Sequence, residues 1–213
     1  TDMPGIIKGR DPYWDKVWTL IDARDGKIRD YSPTPKALSL LTGTGAVPDL
    51  VTTPIGKHTV KFDGGTGITV GTTAQADWVG ANPEITIEAV AMTRALSGVQ
   101  NMLAARSNSG PLTAGVDLLI GSGGGLNFTN YRGDGGSAQW DTMNYNVAGD
   151  NMVANKVFYH TIVKYKNVWK MYRWGKLMAQ VGYGGSLAPY GPFRFGCLNE
   201  VGTPERYWNG WLK

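Results

Sequence analysis

Glu84 and Glu88 are the carboxylates whose spacing first invites a catalytic reading. They lie in EITIEAVAM (84–92), where Ile85, Ile87, Ala89 and Ala91 alternate with Glu84, Thr86, Glu88 and Val90. A period of two marks a strand, so the two glutamates share its wetter face. Retaining glycoside hydrolysis needs two carboxyl groups ~5–5.5 Å apart. Residues four apart on a strand are separated by roughly 13 Å, at ~3.3 Å per residue, too far for either stereochemical course. His58 and His160 both fall in strand-like runs, and His160 reads as a hydrogen-bonded structural residue. The single cysteine, Cys197, excludes an intrachain disulfide and a Cys-rich zinc module, and reads as a small buried hydrophobe. No Gly-x-Ser-x-Gly elbow occurs, and GSGGG (121–125) lacks the Gly-Lys-Ser/Thr end of a phosphate loop. The chain therefore reads as non-enzymatic.

Binding chemistry is better represented. The connection 130–155 gathers Tyr131, Arg132, Asp134, Trp140, Asp141, Asn144 and Tyr145 among glycines, and reads as one long loop. Aromatic faces beside amides and carboxylates suit sugar recognition or an interface with a neighbouring subunit. In the alternative, Trp140 and Tyr145 simply cover the core. Asp134, Asp141 and Asp150 in the same stretch are the candidate calcium ligands, with Asp117 placed in a strand; no other cofactor is expected. Charge is uneven: residues 151–213 hold 9 basic and 2 acidic residues. Lys156, Lys164, Lys166, Lys170, Arg173 and Lys176 read as the solvated outer face of two strands rather than as a nucleic-acid site.

Those residues must be positioned by strands. The 30 Gly and 11 Pro interrupt every helical pattern, and short alternating runs recur between turn clusters. Strands are predicted over 17–21, 58–62, 68–70, 84–91, 102–105, 116–120, 126–129, 158–165, 168–173, 177–181, 193–196 and 207–212, with one helical turn over 73–79. Lys166-Asn167 and Trp174-Gly175 should reverse the chain and make a three-stranded meander. Trp208 and Trp211, three apart, should face opposite sides. No run of about 18 apolar residues exists to cross a membrane as a helix. Residues 1–10 read as an extended arm and 11–213 as one domain.

In order along the chain, DPYWDKVWTLIDARDG (11–26), VKFDGG (60–65), EITIEAVAM, FYHTIVKYKNVWKMYRWGKLMA (158–179), FRFGCLN (193–199) and RYWNGWLK (206–213) resemble a laminin-G-like, concanavalin A-type jelly-roll domain. The version they resemble is the one common in tailed-bacteriophage structural proteins. Trp174 stands where the family has a turn Asp, and Phe158-Tyr159 where it has Trp-His. The chain stops where the family continues with Asp-x-Arg-Ile, so the polypeptide is expected to run past Lys213. The resemblance implies an all-β, two-sheet antiparallel jelly-roll sandwich and a virion head or tail component in many copies. Its partners would be other virion proteins and host surface glycans. The first thirty residues carry no apolar signal core, which suits a protein made in the host cytoplasm. The alternative is a free carbohydrate-binding or glycan-cleaving protein of the same superfamily.

Overall fold

Alternation decides the architecture. In 158–165 the side chains of Phe158, His160, Ile162 and Lys164 are buried, while Tyr159, Thr161, Val163 and Tyr165 are half-buried or exposed. In 168–173 Trp169, Met171 and Arg173 are the buried set. The computed structural model describes residues 14–23, 26–41, 47–49, 55–56, 59–72, 84–106, 115–132, 139–182, 192–200 and 203–213. After a 3-10 turn at Trp14–Lys16, the early strands are β1 (Ile21–Asp22), β2 (Arg29–Asp30), β3 (Leu38–Leu41), β4 (Val47–Asp49), β5 (Thr59–Asp63) and β6 (Gly67–Val70). The middle ones are β7 (Glu84–Thr93), β8 (Gln100–Arg106), β9 (Gly115–Ile120), β10 (Leu126–Arg132) and β11 (Gln139–Tyr145). β12 (Phe158–Tyr165), β13 (Val168–Arg173), β14 (Lys176–Gly182), β15 (Phe193–Phe195), β16 (Leu198–Glu200), β17 (Thr203–Glu205) and β18 (Asn209–Leu212) complete the chain.

Two seven-stranded antiparallel sheets form the sandwich. The first has the order β11-β10-β9-β8-β15-β6-β3, the second β14-β13-β12-β7-β18-β5-β4. The late strands β15 and β18 are inserted between early and middle ones, the crossover pattern of a jelly roll. The inner faces meet in one core that includes Ile68, Leu118, Phe128, Ile162, Trp169, Met171 and Phe193. Phe128 of the first sheet packs on Trp169 of the second with ring centroids 4.8 Å apart.

The expected all-β jelly-roll sandwich is the observed fold, and the β12–β14 meander turns at Lys166-Asn167 and Trp174-Gly175 as anticipated. Glu84 and Glu88 are exposed on the outer side of β7, Cys197 is buried, Gly121–Gly125 joins β9 to β10, and Trp208 is buried while Trp211 is half-buried.

Four expectations change. The strand over 17–21 shrinks to β1, because the Asp30 carboxylate takes the amides of Leu20, Ser32 and Lys36 and so satisfies a loop rather than a ladder. The long loop over 130–155 is not one: Gln139–Tyr145 pairs residue for residue with Leu126–Arg132 as β11. Lys164 and Arg173 leave the expected outer basic face and point into the sandwich. His160 is buried as expected, yet neither ring nitrogen has a hydrogen-bond partner among the described residues. The N-terminal arm 1–10 and the helical turn over 73–79 lie outside the described residues.

Candidate functional site

The hairpin β10–β11 forms one edge of the first sheet and carries most of the residues singled out above. Its register pairs Arg132 with Gln139, Tyr131 with Trp140, Asn130 with Asp141, Asn127 with Asn144 and Leu126 with Tyr145. Asp134 lies outside the described residues. Tyr131, Arg132, Trp140 and Asp141 thus come together at one end of the hairpin, while Asn144 and Tyr145 sit at the other. Asp141 is buried on the core side, 3.4 Å from the amide nitrogen of Asn130. Tyr145 donates its hydroxyl to Asp150 Oδ2 at 2.5 Å, and Arg173 donates to the Asp150 backbone oxygen. Arg173 also lies 3.8 Å from the Asp150 carboxylate. Asp141 and Asp150 therefore each have a partner of their own within the sandwich. Among the described residues no three His, Cys, Asp or Glu side chains are grouped as a metal would need.

The segment after β11 is folded tightly rather than looped freely. Asn151 bridges it by donating to Gly123 O and Asn146 Oδ1 and accepting from the Val147 amide. Met152 N donates to Gly124 O. Gly124 has φ +77°, and a Cβ there would come within 2.1 Å of the Met152 oxygen, so only glycine permits this closure.

The other face of the same hairpin is chemically richer. Thr142 pairs with Thr129, Thr129 with Asp117, Asp117 with Ala104, Ala104 with Arg194, Arg194 with Thr69, and Thr69 with Ser39. Register partners point to the same side, so these seven residues form one row across all seven strands on the outer face. All but Ala104 are hydroxylated or charged. A second polar pair flanks the row: Asn127 donates to Asn144, and Thr129 donates to Asn127 Oδ1 at 2.7 Å while lying 3.3 Å from the Thr142 hydroxyl. Thr129, Asp117, Ala104 and Arg194 are buried, whereas Thr142 and Asn127 are half-buried and Asn144 is exposed. The row thus opens at the β10–β11 edge, where hydroxyls and amides offer paired donors and acceptors. Burial, opposed by the Cys197 thiol, lowers the pKa of Arg194.

Of the predicted residues, Asn144 belongs to this opening and Tyr131 and Trp140 occupy the next paired positions along the same two strands. Sequence reasoning missed Thr129, Thr142, Asn127 and Arg194. For Asn127 and Arg194 the signal is a polar residue between apolar ones, Leu126-Asn127-Phe128 and Phe193-Arg194-Phe195; Thr129 and Thr142 each have a polar neighbour and carry none. In the second sheet Trp169 is buried, Tyr172 half-buried, and Tyr165 and Trp174 exposed.

Solved structures share this architecture. The CBM40 domain of Ruminococcus gnavus IT-sialidase bound to α2,3 sialyllactose matches with TM-score 0.53 and 17% identity, over 65% of this chain and 78% of that domain. The botulinum neurotoxin serotype G binding domain matches with TM-score 0.69 and 15% identity, over 92% of this chain and 46% of that one. The binding domain of botulinum neurotoxin DC in complex with SialylT gives TM-score 0.59 and 16% identity, over 91% and 46%. The likeness is one of fold. The chain spans about half the length of the neurotoxin binding domains it matches. No protein-family model and no curated protein matches the sequence.

Proposed function

We propose that this chain is a non-catalytic glycan-binding sandwich, carried in many copies on a bacteriophage virion, where it also contacts other virion proteins. The observation that carries the glycan reading is the outer-face row, with Thr142, Thr129, Asn127 and Asn144 forming a hydrogen-bonded opening at the sheet edge. Hydroxyls and amides held in one plane match the alternating donors and acceptors of a sugar ring. Among the solved structures of this fold are a domain bound to sialyllactose and one in complex with SialylT, which supports the same ligand class. The virion setting draws on the six sequence segments that resemble phage structural domains. Many weak copies on one particle would give avidity without a tight single site.

A non-catalytic role is supported by the two strand glutamates. Both are exposed on the outer face of β7, and Glu88 accepts a hydrogen bond from Tyr159, so these two carboxyls are not set as a pair across a scissile bond. The decisive experiment titrates the protein with sialyllactose and with bacterial surface polysaccharides, comparing it with the N127A/N144A double variant. Binding that falls at least about tenfold, equivalent to ~1.4 kcal/mol, with an unchanged melting temperature is the expected result. Equal binding by the double variant would place the ligand elsewhere, and release of reducing sugar would make the chain an enzyme.

A further inference from the structure

Trp174 breaks a conformational rule in full view of solvent. With Gly175 it forms the two-residue connection between β13 and β14, and both residues have positive φ, +51° and +76°. Such turns favour Asn, Asp or Gly at the first position, because a bulky Cβ is crowded in the left-handed region. Trp174 is nevertheless 62% exposed, so core packing does not explain why an indole is held there. Lys166 has a like φ of +52° in the neighbouring turn, so it is the exposed indole, and not the backbone alone, that asks for an explanation.

What surrounds it gives the indole a purpose. Its amide donates to Tyr159 O at 3.0 Å, and the Tyr159 ring stands 6.2 Å away, inclined by 47°. Tyr159 in turn donates its hydroxyl to one carboxylate oxygen of Glu88, which fixes the ring beside an exposed glutamate. Burial first, then the bond to Glu88, raises the Tyr159 pKa, so the hydroxyl stays a donor. In the adjoining row Glu88 pairs with Thr161, Thr161 with Tyr172, and Tyr172 with Leu177, which is 45% exposed. An aromatic corner is thus set beside a carboxylate and a threonine hydroxyl on the outer face of the second sheet.

We infer that this corner is a second carbohydrate site, separate from the row on the first sheet, and that it takes a neutral hexopyranose unit of a glycan. The indole face would cover the apolar C–H face of the sugar and Glu88 would accept from its hydroxyls, while Thr161, bonded to Tyr159, would steady the second ring. A neutral sugar is favoured because Glu88 repels a sugar carboxylate. Arg173, the arginine next to Trp174 in sequence, is buried in the sandwich against Asp150. With sites on opposite outer faces, one domain could bridge two strands of a polysaccharide.

The test uses protein labelled with 5-fluorotryptophan, the Trp174 resonance being assigned by its loss in W174N. Lactose and cellotetraose serve as neutral probes and sialyllactose as the acidic one. Asn is a preferred residue at this turn position, so W174N should melt at the same or a higher temperature while losing the second site. The expected result is a saturable millimolar shift of the Trp174 resonance with a neutral probe, unchanged in N127A/N144A. Binding of the neutral probes should also fall at least tenfold in W174N. No shift with either neutral probe, or a larger response to sialyllactose, overturns the assignment. So does W174N binding like the parent protein. Because the two faces are removed by different variants, loss of one site leaves the other measurable.

Discussion

His160 makes the fold sensitive to mild acid, and the size of the effect follows from its surroundings. The imidazole is 1% exposed on the core side of β12 and lies nearly parallel to Phe158, with ring centroids 6.1 Å apart and planes at 8°. Arg173 is its register partner on β13. Among the described residues neither ring nitrogen has a hydrogen-bond partner. Burial, and secondarily the Arg173 cation, push its pKa from 6.5 down to about 3. The unfolded chain therefore takes up a proton as pH falls below about 6.5, whereas the folded chain does not until about 3. Stability is lost across that window. At pH about 5 the difference amounts to roughly 2 kcal/mol relative to neutral pH. For a domain of this length that lowers the melting temperature by about 4–8 °C.

Substituting His160→Leu removes the titrating group and keeps the volume apolar. Thermal unfolding of both proteins at pH about 7.5 and about 5 isolates the histidine, since carboxylates contribute equally to each. The parent should lose roughly 2 kcal/mol more than H160L on acidification. With only two histidines in the chain, the ring protons of His160 can be assigned from the variant. A titration midpoint near 6.5 for that residue, or equal acid sensitivity in the two proteins, would refute the reasoning.

A Cβ on Gly67 would lie 2.1 Å from Cys197 Sγ and 2.9 Å from its Cβ. Gly67→Ala should cost about 2–3 kcal/mol in denaturant unfolding, and adding Cys197→Ala should recover part of it; no recovery would put the clash elsewhere. The Cys197 thiol, lifted to about 11 by burial, should resist a thiol reagent at neutral pH and react once guanidinium unfolds the chain. Rapid labelling of the native protein would contradict that burial. Tyr145→Phe removes the bond to Asp150, so the amides of Met152 and Asn155 should exchange faster with deuterium, and an unchanged pattern would mean the bond does not hold the segment. Glycan binding should vary little with salt, whereas a contact with nucleic acid through the exposed lysines would weaken by a log–log slope of about −1 per phosphate.

The meander β12–β14 was legible because alternation is strict in β12 and β13 and its turns are two residues long. The same alternation already placed Lys164 with Ile162 and Arg173 with Met171 on the core side; local charge suggested a solvated face, and periodicity was the better guide. β11 was hidden because Asp141 occupies a core-facing position, so Gln139–Tyr145 loses its apolar rhythm. β3 and β4, of four and three residues, are too short to show a period. The polar row is illegible for a different reason. It draws one residue from each of seven strands, from Ser39 to Arg194, and each alone resembles the wet side of an ordinary strand. Only the strand order aligns them.

That order also decides what the basic C-terminal third means. Two of its nine cations, Lys164 and Arg173, are spent inside the sandwich, where Arg173 holds Asp150, and Arg194 is buried within the outer row of the first sheet. Lys156, Lys166 and Lys176 remain exposed and Lys170 half-buried. Lys170 shares the outer face of the second sheet with Glu84 and Glu88, one strand beyond β12. A face of mixed sign focuses no polyanion. What it does present is a solvent-facing indole beside Tyr159, whose hydroxyl bonds Glu88. The charge excess read along the chain therefore becomes, once folded, buried cations plus an aromatic corner, the feature on which the proposed second sugar site rests.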